Sequence, residues 1–153
     1  GAPPFAGLLV TAPTPASPVR MPPFVLLAIS LLAGMGIFVV VVALGTVLAY
    51  IATNSTDAQN PSATLLLALL VVHTLAAIFA GLATGKMTRS HSLYTVLLLG
   101  LMMAMSSVVP LLRNAANAGE PDWFLVVRCV VVFAGILAGG ALQRGGRVVE
   151  IAP

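Results

Sequence analysis

His73 and Arg128 are the two residues of this 153-residue chain whose chemistry stands out most against their surroundings. His73 sits between Val72 and Thr74 in the middle of an apolar run. A neutral imidazole there could ligate haem iron or chlorophyll magnesium, or relay a proton. Haem in a bundle commonly takes a second axial ligand, and the other histidine is His91. That is about 27 Å further along if the chain between is helical, too far for one cofactor in one chain. The expected use of His73 is therefore an interhelical hydrogen bond, with pigment or haem binding as the alternative. Arg128 lies about 9 Å past Asp122 at helical rise. An ionisable residue inside a membrane span is a functional candidate by default. The bland alternative is snorkelling, in which the guanidinium reaches back to the interface and meets Glu120 or Asp122. The sharper one is contact with a partner subunit, a lipid headgroup or a cofactor carboxylate.

Other groups offer less. Met102, Met103 and Met105 are soft donors that could bind a soft metal, but adaptable apolar packing is the commoner use, and Met102 and Met103 point to different faces. Cys129 has no histidine neighbour to activate it and reads as a small hydrophobe. One cysteine in the chain excludes an internal disulfide framework and a cysteine-rich zinc site. Ser106, Ser107 and Pro110 could bend a helix and free carbonyls to bind something, against the plainer expectation of a bent structural helix. Asn54-Ser55-Thr56 matches a glycosylation sequon, here a chance match in a short loop. No phosphate loop, zinc motif or nucleophile–base pair is present. No metal site and no catalytic residue is expected.

The composition says what must hold these residues. Hydrophobic residues make up 59% of the chain and charged residues 7%, against about 25% charged in a soluble domain. Mean hydropathy is +1.09. Eleven charges cannot clothe a water-facing surface, which excludes a soluble globular enzyme, and the scattered cations behind the net +3 form no basic cluster for nucleic acid. The expected fold is all-α: a polytopic membrane protein whose four transmembrane helices, about 23–51, 62–85, 92–112 and 123–142, form an up-down-up-down bundle. The first is about 43 Å long at helical rise and must tilt or project from the membrane. Residues 1–22 form a Pro-rich cytoplasmic arm, extended or polyproline-like, with no charged n-region before an apolar core and so no secretory signal expected. Residues 143–153 form a cytoplasmic tail. The arm, second loop and tail hold Arg20, Lys86, Arg89, Arg144 and Arg147, whereas the first loop holds no cation and the third only Arg113. That bias sets both termini in the cytoplasm. Tyr50 and Trp123 then fall at the outer interface and Tyr94 at the inner one. The expected location is the bacterial inner membrane.

Between helices in lipid, close approach of small residues replaces the hydrophobic effect. Ala77, Gly81 and Gly85 share one stripe of span two, and Gly135 and Gly139 form a GxxxG in span four, followed by Gly140. Gly100 and Ala104 lie on span three, Gly36 and Gly45 on span one. Ordinary packing within the chain is the plain use of these stripes; docking of Gly135 and Gly139 onto a partner protein is the sharper one. Phe79-Ala80-Gly81 and Phe133-Ala134-Gly135 also echo one another, as a repeat of two hairpins would.

Phe79-Ala80-Gly81, Gly85, Arg89, His91-Ser92 and Gly100 together resemble a pattern in small uncharacterised four-helix bacterial integral membrane proteins. The resemblance covers about a third of the chain in residues of low specificity. It implies four spans and carries no activity to transfer, and the Pro-rich arm is not part of it. The predicted spans contain no Asp or Glu and enclose little room, so a transporter or channel would have to be a homo-oligomer. What remains is a non-enzymatic accessory or scaffolding subunit of a larger membrane assembly, of the photosynthetic or respiratory kind by analogy. Its expected partners are membrane lipids and other integral membrane subunits, with no nucleic acid. The polyproline-like arm could lie in a neighbour's groove at low entropic cost.

Overall fold

The computed structural model describes residues 22–54, 61–88, 92–112 and 121–145. They form four helices: α1 (Pro23–Thr53), α2 (Ala63–Met87), α3 (Ser92–Leu112) and α4 (Asp122–Gly145). Outside the described residues lie the arm up to residue 21, with Arg20, the loop residues Arg89, His91, Arg113 and Glu120, and the tail from residue 146 with Arg147. α1, α2 and α4 are each long and apolar enough to cross a membrane. α3 contributes the shorter apolar stretch Leu93–Ser106.

Local chemistry sets the ends. Pro23 occupies the first position of α1, where a missing N–H costs nothing, and the carbonyl of Pro22 accepts from Val25 and Leu26. α1 runs two residues beyond the expected Ile51 and stops at Asn54. There the backbone turns left-handed (φ 49°, ψ 35°) and the Asn54 N–H bonds the carbonyl of Ile51, a conformation asparagine tolerates better than most residues. Ser62 is the cap of α2 rather than its first helical residue, its hydroxyl accepting from Leu65 N at 3.2 Å. Lys86 lies in the last turn of α2, which continues to Met87. α4 starts on the carbonyl of Pro121 with Asp122 in its first turn and extends past Leu142 to Gly145.

α2 and α4 sit at the centre. α1 packs mainly on α2 and α3 mainly on α4, while α1 barely reaches α4 among the described residues. Contacts run in opposite order along α1 and α2, where Gly34 faces Thr84 and Gly45 faces Val72. They do so again along α3 and α4, where Val96 faces Gly140 and Ala104 faces Cys129. Along α2 and α4 they run in the same order, Ala77 facing Gly135 and Gly85 facing Gly140. One core cluster joins all four helices through Ala77, Ala80, Leu99, Val132 and Ile136, with Leu31 and Phe38 packed against it. A second gathers Ala49, Leu65, Leu69 and Phe124. Large apolar side chains such as Leu32, Val40, Leu67, Leu101 and Val130 point outward, a face that suits lipid and not water.

Candidate functional site

His73 is half-buried on α2, beside α1. Its Nδ1 lies 2.7 Å from the carbonyl oxygen of Leu69, one turn earlier. A carbonyl only accepts, so Nδ1 carries the proton and donates. On the side of α1, Phe38 meets the imidazole edge-on with centroids 6.2 Å apart. At Nδ1 the hydrogen bond thus stays within the helix. In lipid that is the nearest acceptor to any side chain able to fold back on its own turn. Among the described residues no group of three or more His, Cys, Asp or Glu could hold a metal ion. His91, the other histidine considered as a ligand, lies outside them.

Arg128 is half-buried on α4. Its guanidinium carbon lies 5.7 Å from the centroid of the Phe124 ring, one turn towards the start of the helix. The side chain therefore folds back towards the end that carries Asp122, as helical side chains do, and sets its charge over an aromatic face. This is the snorkelling direction. Of its two expected acidic partners, Glu120 lies outside the described residues.

The small-residue stripes meet each other. A Cβ on Gly81 would strike the carbonyl oxygen of Ile136, and one on Gly139 would strike that of Ile78. Gly135 faces Ala77, whose Cβ would lie 2.8 Å away, and Gly85 faces Gly140 and Gln143. The glycine Cα–H groups point at carbonyls across the seam, a weak but recurring helix–helix interaction. Ala77, Gly81, Gly85, Gly135 and Gly139 thus serve packing within the chain. Both glycines of the Phe-Ala-Gly echo lie in this one seam. Gly36 and Gly45 part company: Gly45 is filled by Val72, while a Cβ on Gly36 would meet nothing within 4 Å among the described residues.

Sequence reasoning passed over a buried hydroxyl track at the α1–α2 contact. Ser30 and Thr84 are fully buried, and the Thr84 hydroxyl reaches the Ser30 carbonyl at 3.4 Å. Ser30 donates to Leu27 and Thr88 to Thr84, each at 2.8 Å. Gly34 makes the approach possible, because a Cβ there would strike Thr84 Oγ1. Its signal was the Ser30-x3-Gly34 spacing, one helical turn between two small residues. Of the methionines, Met103 is buried and Met102 and Met105 are exposed, so the three do not converge. The Cys129 thiol donates to the Ala104 carbonyl at 3.6 Å. Ser106 donates to Met103 at 2.7 Å. α3 stays helical across Ser107 and Pro110, whose side chains lie outside the described residues.

The described side chains thus form no cluster of reactive groups; they form helix seams in which Ser30, Thr84 and Thr88 bond carbonyls close by. No protein-family model, curated protein or solved structure matches the chain.

Proposed function

We propose that the chain is a non-enzymatic accessory or scaffolding subunit of a larger integral membrane assembly, one that works by helix packing. All four helices span, α3 included, since its 21 residues reach about 31 Å at helical rise across about 30 Å of hydrocarbon. The bundle runs up-down-up-down with both termini in the cytoplasm. The alternating contact order and the cation bias towards the arm, second loop and tail support that orientation. So do Tyr50 and Trp123 near one end and Tyr94 near the other. The membrane is a bacterial inner membrane, and the Pro-rich arm lies in a groove of a neighbouring subunit.

One observation carries the reading: α1 is a long helix with an uncovered face. Its buried residues are Ser30, Gly34 and Ala49 out of 31. The opposite face presents Leu32, Gly36, Val39 and Val40, with open space over Gly36. A glycine on an apolar, unoccupied face lets another helix approach closely. The seams that serve folding are already in use between α2 and α4, so this face is left for a neighbour.

Purification in gentle detergent followed by mass analysis tests it. The expected result is co-purification with other membrane polypeptides in fixed ratio. Recovery as a lone monomer contradicts the proposal. A homo-oligomer would favour a small transporter or channel instead. A visible absorbance band that His73→Ala abolishes would favour pigment or haem binding.

A further inference from the structure

Because α1 and α4 both pack on α2 yet barely touch each other, a gap stays open along α2. It is a groove of about 620 Å³ walled by Ile37 and Val41 of α1, Phe79 and Ala83 of α2, and Gln143 of α4. Its polar groups are gathered at one end, where Lys86 and Gln143 close the lining. Gln143 packs on α2 at Gly85, its Cβ 3.6 Å from where a Gly85 Cβ would stand, one residue before Lys86. From Phe79 to Lys86 the groove runs about 10 Å along the helix.

We infer that this groove is a binding site for an anionic phospholipid, one acyl chain lying along Ile37, Val41, Phe79 and Ala83 and the phosphate resting between Lys86 and Gln143. The apolar wall matches an acyl chain and nothing polar. The polar lining residues are an exposed ammonium and an amide, a point charge and an N–H donor suited to phosphate oxygens. The charge complementarity is one-sided. The acidic residue among the described residues, Asp122, begins α4, about 31 Å along the helix from Gln143. A zwitterionic headgroup would gain little from Lys86, since its own cation competes. Basic pockets between spans on the cytoplasmic side bind such anionic headgroups. The site rests on the proposed orientation, which sets Lys86 at the cytoplasmic headgroup level.

Native mass spectrometry of the full chain in detergent, titrated with phosphatidylglycerol or phosphatidylcholine of matched acyl chains, tests the site. Phosphatidylglycerol is expected to bind about fivefold more tightly, and Lys86→Gln, at an exposed position, should abolish the difference. Ala83→Phe, which fills the groove from its wall, should weaken both lipids alike. Equal binding of the two lipids overturns the inference, as does a preference that survives Lys86→Gln. Competition by glycerol phosphate as effective as that of the whole lipid would mean a phosphate site without the acyl groove, and a second copy of the chain bound in place of lipid would do the same damage. Binding is read on the isolated chain, so lack of partner subunits, which sinks the scaffold reading, leaves this readout intact. Cysteine accessibility at position 86 reports the orientation separately.

Discussion

At the scale of single residues, the molecule turns on which glycines have something to touch. Gly139 and Gly81 each face a carbonyl oxygen of the opposite helix, and backbone cannot swing aside as a side chain can. Gly139→Ala should therefore force α2 and α4 apart and cost about 1–3 kcal/mol, the usual range for overpacking. Gly36→Ala, with open space around it, should leave stability unchanged or raise it by up to about 1 kcal/mol. Thermal unfolding of the two variants in the same detergent checks the contrast. Arg128 belongs to this scale as well. Arg128→Leu removes the charge set over Phe124, a contact worth about 1 kcal/mol, and should leave any assembly intact. Loss of co-purifying subunits in that variant would instead place the guanidinium against a partner. The glycine stripes were legible in the sequence because spacing by four marks one helix face. Whom they face was not, since a GxxxG reads the same whether the other helix lies in the chain or in a neighbour. Gly34 and Thr84 were missed for a related reason: a buried hydroxyl and a lipid-facing one bonded to its own helix look alike until the facing residue is known.

Elements were legible almost to their ends. Runs of apolar residues broken by Asn, Asp, Pro and cations place helices because lipid leaves a spanning backbone little alternative. The small differences have local causes, among them the left-handed turn at Asn54 that lets α1 run to Thr53. Asn54→Gly should preserve that end, whereas Asn54→Val should fray it at a cost of about 1–2 kcal/mol, the penalty of a left-handed backbone for a bulky residue. Hydrogen exchange at the last turn of α1 reads the difference. Helix order around the bundle was not legible. The parallel seam of α2 and α4 depends on Gly81 meeting Ile136 and Gly139 meeting Ile78, and nothing in either helix alone prefers that pairing to one with α1. The same arrangement leaves α1 off α4 and opens the groove that ends at Lys86.

At the scale of the whole molecule, few charges and many small residues describe a chain built to pack. Its buried hydroxyls bond carbonyls close at hand, as Thr84 does at Ser30 and Thr88 does at Thr84. That satisfies polar groups where no water reaches them. The proposed topology predicts that cysteines placed at Asp57 and Glu120 react with a membrane-impermeant reagent from outside, and that one placed at Arg89 does not. The proposed role rests on the open face of α1. A photo-crosslinking residue at Val40, exposed on that face, activated in native membranes, tests it most directly. A crosslink to a different membrane polypeptide is expected, in high yield and absent when the same residue is placed at the similarly exposed Val130 on α4. Adducts with lipid alone from Val40 would contradict it.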